Sequence, residues 1–476
     1  LSIYEFIRLI YKYIDKIMHL QKNQLLPKFN EAKQKFKSNS HPILFRYTQE
    51  INFKCSFPSL LDLEIDQLSG KSFWSRPSLK TSIFSLGETL SMNLDKNNKS
   101  TLNLNIEKTI ENLVSVNHTN QNQIPIFIGG QNFNISQKNL NIWKEVNVAD
   151  FRVPELLLYK QNDFITVTFF TLIDNDTSLE SIYNEFSHYY STIEKFQSEV
   201  RPGNIKLGSK KNRIDKSSFL ETISDIKNII EHQDVKKIVL SNITEYKFTG
   251  DISFPSLIYS LEKKYPECAI FYFNYNGVFI GASPENILST KKNILSIDAL
   301  AGSVKRNNNS KKDAEIQNYL YENKKMIDEH EIVVTGILED LRKIDIDAKT
   351  SKREILSLKN VHHLKTDIMA YKQNQNTLDI LDQIAPTPAL SGYPKSKAIE
   401  MIESIESYDR GWYSGVVGWI GKDLDADFYA GLRSAYIKDN YIYIYAGAGV
   451  TIDSIPEDEW SEILNKMSAI DEIINE

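Results

Sequence analysis

Residues 412–446, WYSGVVGWIGKDLDADFYAGLRSAYIKDNYIYIYA, decide the fold. Their pattern predicts strands at Trp412–Ile420, Phe428–Ile437 and Tyr441–Ala446, the last two joined by a turn at Asp439-Asn440. Strands that follow one another without an intervening helix pair antiparallel, because a parallel pair needs a long crossover. Upstream, Lys237–Ser241 (KIVLS) predicts a strand, and 268–274 and 277–282 a pair joined at Tyr275-Asn276-Gly277. Helices are predicted at Phe219–Glu231, Leu257–Lys264, 313–343 and 396–405. The C-terminus predicts one more. Pro456 suits a first turn, Glu457, Asp458 and Glu459 sit at the positive dipole end, and Trp460, Ile463, Leu464, Met467 and Ile470 form an apolar stripe. Strands and helices mix without regular βαβ alternation. The predicted class is therefore α+β, a large mixed, mainly antiparallel sheet system flanked by helices.

The first two hundred residues are rich in Asn, Lys, Ser and Ile, and their periodicity is weak. Asn97–Ser100 and Asn117–Gln123 read as polar loops, Ile124–Ile128 and Asp163–Leu172 as strands, and 178–200 as a helix. The basic run Asn204–Lys216 reads as a linker or surface loop. Ile3, Phe6, Ile7, Ile10, Tyr13, Ile14 and Ile17 make a helical stripe; Glu5 and Asp15 argue for a docking helix over a transit peptide. The length of 476 residues predicts about three domains, or one large domain around an extended sheet. With 41% hydrophobic and 25% charged residues, disorder and coiled coil are excluded. Fifty-six basic against 62 acidic side chains leave a net charge of −6, which offers no field for nucleic acid. Two cysteines exclude a disulfide framework or a multi-thiolate zinc site and point to a reducing, cytoplasmic compartment. No run approaches the ~18 apolar residues of a membrane span.

Glu459 and Glu462 are three apart, with Lys466 four further on, so all three share a helix face. That is either a solvated charged face or a set of hard oxygen donors. Glu329, in Asp328-Glu329-His330, lies on the long central helix. Two glutamates from distant helices suit Mg²⁺, which takes one or two carboxylates and keeps waters or substrate oxygens. Gly447 and Gly449 do not form a dinucleotide fingerprint; they either let backbone N–H groups approach an anion or make a strand-end turn. Arg433 alternates with Leu432 and Ser434 and needs an anionic partner, either a bound carboxylate or an internal salt bridge. Lys237 is an exposed strand end unless it faces a closed pocket, where desolvation makes it a usable base. Burial of Glu285 raises its pKa and suits it to act as an acid.

Ten short motifs in register add a resemblance. They are 237–241 (KIVLS), 279–285 (FIGASPE), 300–303 (LAGS), 328–330 (DEH), 363–366 (HLKT), 386–392 (PTPALSG), 410–415 (RGWYSG), 432–435 (LRSA), 446–449 (AGAG) and 459–462 (EWSE) with Lys466. Across about residues 217–476 the chain resembles the chorismate-utilising enzymes: isochorismate synthases, salicylate synthases and component I of anthranilate and aminodeoxychorismate synthases. Upstream the likeness is patchy, at Phe73-Trp74, Ile128 to Trp143 and Val153-Pro154. The resemblance implies a divergent region, 1–205, contributing to the same fold as a chorismate-binding catalytic region, 217–476.

The roles it implies are Lys237 as the base that activates water and Glu285 as the acid that protonates the departing hydroxyl. Glu329 and Glu462, supported by Glu459, are expected to hold Mg²⁺, and Arg433 to clamp the enolpyruvyl carboxylate. Gly302, Ser303, His363, Ala389, Leu390, Gly447, Gly449 and Lys466 complete the expected substrate site. No redox cofactor is implied. Aminating relatives carry Thr at the position of Ala389, and PTPALSG resembles isochorismate synthases, so water addition at C2 with loss of the C4 hydroxyl is expected, feeding a naphthoquinone such as menaquinone or phylloquinone. Salicylate synthase is the runner-up, and the aminating synthases a further alternative. No glutaminase subunit is expected, and the chain is expected as a monomer or homodimer. Asn242, Met326 and Ala385 depart from the usual Arg, Asp and His of the family. A non-catalytic chorismate-binding subunit or a structural metal-binding protein requires no acid and base pair.

Overall fold

The computed structural model describes residues 24–94, 99–119, 124–136 and 141–475, and the helix expected at Leu1–Met18 lies outside them. Among the described residues, one sheet has thirteen strands and a second has ten. Their pairings are antiparallel except that of Ile43–Glu50 with Val114–Asn117. The α+β class with mainly antiparallel sheets is what is found. Both halves of the chain contribute strands to both sheets. Lys71–Arg76 pairs with Ala269–Asn274 in the first, Trp74 opposite Phe271. Pro125–Gln131 pairs with Val416–Gly421 in the second, Gly129 opposite Gly418.

Alternation along the central strands feeds two cores. In Ala269–Asn274, Ile270 and Tyr272 join the core under helices Leu179–Lys195, Lys216–His232, Phe254–Lys264 and Pro456–Ile474. Phe271 and Phe273 join the core between the sheets. There Trp74 of the first sheet meets Tyr429 of the second edge-on, ring centroids 5.6 Å apart. Strands buried on both faces lose the polar half of the usual alternation, which is why these read as continuous apolar runs.

Several expectations need correction. Trp412–Gly415 is a turn with Ser414 at φ 55°, and the strand is Val416–Gly421. The run Phe428–Ile437 is two strands: Ala426–Ala430 belongs to the second sheet, Ser434–Lys438 to the first, and Gly431 to Arg433 carry the chain across. Tyr441–Val450 is one long strand, so Gly447 and Gly449 lie inside it and make no turn. The helix expected over 313–343 is two, Ser310–Glu322 and Lys324–Arg342. Asn323 breaks them in an extended conformation and caps the second by accepting from the Met326 N–H. The stretch Asn204–Lys216 holds an edge strand, Lys206–Asn212, whose exposed lysines discourage further pairing. Helix Lys99–Asn112 begins inside the loop expected at Asn97–Ser100 and buries Leu102, Ile106 and Ile110, one residue per turn. The loop expected at Asn117–Gln123 starts on the last residue of Val114–Asn117, and 120–123 lie outside the described residues.

Candidate active site

The chain crosses between the sheets twice at one place. Pro284 and Glu285 join strand Val278–Ser283 of the first sheet to Asn286–Lys291 of the second. Gly431 to Arg433 make the return crossing. The crossings are tied by backbone: Ala430 N–H donates to the Glu285 carbonyl at 3.0 Å, and Ala282 N–H to the Arg433 carbonyl at 3.1 Å. Arg433 is therefore not a strand residue alternating with its neighbours. It sits at φ 45°, a left-handed conformation costing about 1–2 kcal/mol for a non-glycine residue. Such strain persists only where surrounding structure enforces it, and it concentrates at functional sites.

These crossings open onto a cavity of about 730 Å³, including its mouth. Lys237, Glu285, Glu329, Glu462 and Lys466 line it, as do Gly302, Ser303, His363, Ala389, Leu390, Arg433, Gly447 and Gly449. Glu459 lies apart, in an adjoining open cavity that shares Ser303, Arg433, Glu462 and Lys466 with the first. The side chains brought together come from residues more than two hundred positions apart in sequence.

Lys237, at the start of strand Lys237–Thr249, is 1% exposed and donates to Glu329 Oε1 at 2.9 Å. It is thus an interior side chain. Strand Tyr441–Val450 runs beside it with Gly449 opposite Val239. A Cβ on Gly449 would stand 2.5 Å from Lys237 Cε and 2.9 Å from Glu329 Oε1, so glycine is what lets the ion pair lie across the strand. Gly302 sits at a bulge opposite the Val361–Tyr371 strand with φ +75°, and the next residue, Ser303, pairs with His363.

Glu285 is buried, and burial, reinforced by Asp298, pushes its carboxyl up to about 8 against the opposing Thr387 hydrogen bond. At neutral pH it is a proton donor. Burial alone would also raise Glu329, but Lys237, with Lys466 and Lys325, outweighs it and holds that carboxyl below its ordinary range. Lys466 donates to Glu462 at 2.7 Å and to the Gly447 carbonyl at 2.8 Å. Burial draws its ammonium down, yet Glu462 leaves it raised.

Arg433 has no acidic side chain within salt-bridge distance among the described residues, so the internal ion pair is not what holds it. Its Nη2 donates to His363 Nε2 at 2.9 Å. A guanidinium can only donate, so Nε2 accepts and Nδ1 carries the hydrogen, which goes to Ser303 Oγ at 2.8 Å. Burial, then the Arg433 charge, holds His363 well below its ordinary pKa, which keeps the imidazole neutral. The result is a buried cation in a cavity wall with no acidic side chain paired to it among the described residues.

Glu329, Glu462 and Glu459 are the residues that could hold a metal. Burial, then Glu462, pushes Glu459 up to about 7, and Glu329 adds to the crowding. Each glutamate faces a lysine, the third pair being Lys325 with Glu459 at 3.4 Å. Among the described residues no three His, Cys, Asp or Glu side chains converge as a ready cage. Crowded carboxylates short of a full cage suit a hard divalent cation that completes its shell with water and ligand oxygens. Thr387, which donates to Glu285 Oε1 at 3.0 Å, was not legible as a functional residue, although it lies inside the PTPALSG motif.

A family profile described as chorismate binding enzyme matches residues 30–475. The isochorismate synthase MenF of Bacillus subtilis (strain 168) is 25% identical over 449 residues, covering 92% of this chain and 94% of that protein. The isochorismate synthase MenF of Pasteurella multocida (strain Pm70) is 30% identical over 325 residues, 67% of this chain and 74% of its own. The solved structure of MenF, the menaquinone-specific isochorismate synthase from Escherichia coli, superposes with a TM-score of 0.76 at 22% identity, covering 95% of this chain and all of that one. It shares the fold. No described helix is long and apolar enough to cross a membrane.

Proposed function

Because this chain belongs to the chorismate binding enzyme family, we propose that it is an isochorismate synthase, an isomerase acting on chorismate. One observation carries the reading: an amine and a buried carboxyl, its pKa raised by burial, line the same cavity as a guanidinium that has no carboxylate within salt-bridge distance among the described residues. A pure binding site needs the guanidinium alone. In this reading Lys237, acting as the neutral amine and not as the ammonium paired with Glu329, takes a proton from the water that adds at C2, and Glu285 gives one to the hydroxyl leaving C4. The water consumed equals the water released, so no oxidant, reductant or group donor is required.

Arg433, held by neutral His363, takes the enolpyruvyl carboxylate. Lys466 and the glycine-opened backbone at 302, 447 and 449 seat the remaining oxygens. Glu329 and Glu462, supported by Glu459, would hold Mg²⁺, which would supply charge neutralisation and orientation when bound. Ala389 and Leu390 present no hydroxyl to a nucleophile, which favours water over ammonia. Residues 217–476 carry the chemistry, and the described residues of 1–205 complete the sheets.

The test is incubation of pure protein with chorismate and Mg²⁺, with products separated by chromatography. Isochorismate is expected, turnover stopping with chelator and returning with added Mg²⁺. Salicylate with pyruvate as main products would reassign the chain to the salicylate synthases, and anthranilate formed from ammonium to the aminating branch.

Arg433→Gln tests the carboxylate clamp. Loss of a charge-assisted hydrogen bond is worth about 1.5–3 kcal/mol, so KM should rise roughly 10- to 100-fold in steady-state kinetics. Arg433→Lys should recover little of this, since an ammonium cannot reproduce the planar fork. A KM within twofold of the parent would remove Arg433 from the substrate site.

A further inference from the structure

Glu285 has one side-chain hydrogen-bond partner among the described residues, the hydroxyl of Thr387 at 3.0 Å from Oε1. Thr387 is fully buried, and its hydroxyl has no second acceptor among those residues. A threonine hydroxyl has one proton to give. Were the carboxyl proton on Oε1 and donated to threonine, the threonine proton would be sealed away without an acceptor, which burial penalises. Threonine therefore donates and Oε1 accepts.

We propose that Thr387 is a positioning residue for the acid: by pinning Oε1 it confines the carboxyl proton to Oε2, so that the proton is delivered from one defined oxygen. The inference rests on the reading of Glu285 as the acid and adds which atom of it acts. Burial supports it by keeping Glu285 protonated at neutral pH.

The turn that carries Thr387 is braced against the strand that carries the amine. The N–H groups of Leu390 and Ser391 donate to the Thr387 carbonyl at 2.9 and 3.0 Å. The Ser391 carbonyl in turn accepts from the Val239 N–H at 3.0 Å, two residues beyond Lys237. Arg410 adds a further tie, donating to the Leu390 carbonyl at 3.1 Å and the Val239 carbonyl at 2.7 Å. One short turn thus sets the acid's orientation and registers it on the base's strand.

Thr387→Val keeps the shape and removes the hydroxyl; Thr387→Ser keeps the hydroxyl. The first readout is the infrared C=O stretch of the protonated Glu285 carboxyl, assigned by its disappearance in Glu285→Gln. A carbonyl that loses a hydrogen-bond donor stiffens, so the band should move to higher wavenumber in Thr387→Val and return in Thr387→Ser. The second readout is kinetic. Thr387→Val should lower kcat about tenfold or more with KM within twofold. Its alkaline limb should move to higher pH, because a donor that favoured the carboxylate is gone. Thr387→Ser should recover both.

A band unmoved in folded Thr387→Val, or equally displaced in both variants, overturns the proposal. The band is read without turnover, so its failure is separate from a failure to form isochorismate.

Discussion

Glu285→Gln should be catalytically dead and yet more stable than the parent protein at alkaline pH. Loss of a general acid costs roughly 10²- to 10⁴-fold in rate. The stability gain follows from the same burial that makes the acid. In the fold this carboxyl keeps its proton to about 8, whereas its ordinary value is 4.5. Its folded pKa is raised, so its contribution to stability is full below 4.5 and is lost as pH rises through 8. By pH 9 the charged form weakens the fold by roughly 5 kcal/mol, a load that a permanently neutral amide does not carry. The amide oxygen still accepts from Thr387. Denaturation of both proteins at pH 6 and pH 9 reads this directly, and the advantage of the variant must grow with pH. In the parent, kcat/KM should fall as pH rises through about 8. An equal stability difference at the two pH values would show that Glu285 is ionised in the fold.

Lys237→Ala should lose a comparable amount of activity but with the opposite effect on stability. General-base catalysis is again worth about 10²- to 10⁴-fold. Here, though, the substitution strands Glu329, whose carboxylate lies recessed against the amine at 2.9 Å. Removing one partner of a buried pair typically costs about 3–5 kcal/mol. A double variant, Lys237→Met with Glu329→Gln, replaces both charges and should recover most of the stability and none of the activity. Melting curves and single-turnover assays on the three proteins separate the two effects. Unchanged turnover in Lys237→Ala would refute the mechanism.

Local pattern makes much of the second half of the chain readable. Lys237–Ser241 is short, apolar and bounded, and it lies where expected at the start of a strand. Phe428–Ile437 shows where pattern fails. Nothing in its hydrophobicity reports a change of sheet, because both pieces are buried and only pairing partners distinguish them: Ala430 with Val416, Ala435 with Ile444. That hidden break is what turns Arg433 out of the strand. Gly447 and Gly449 were ambiguous for a related reason. Their purpose is the space taken by Lys237 and Tyr413 side chains from elsewhere in the chain. In the first two hundred residues, Ile43–Glu50 follows Ser38-Asn39-Ser40, which reads as a breaker, and Leu156–Gln161 is only six residues long between Pro154 and the Asn162-Asp163 turn. Helix Lys99–Asn112 escaped notice because one apolar residue per turn is a narrow stripe among asparagines. Asn103 itself is buried, donating to Asp379 and Asp382 at 2.8 and 2.9 Å.

The interleaving of early and late strands bears on how the molecule is made. When a ribosome has released Lys71–Arg76 and Pro125–Gln131, their neighbours Ala269–Asn274 and Val416–Gly421 are still untranslated. The nascent chain then exposes apolar strand edges that only residues made much later can close, the state in which sticky intermediates form. Formation of both sheets must wait for those later strands, and pairing over such long sequence separations is intrinsically slow.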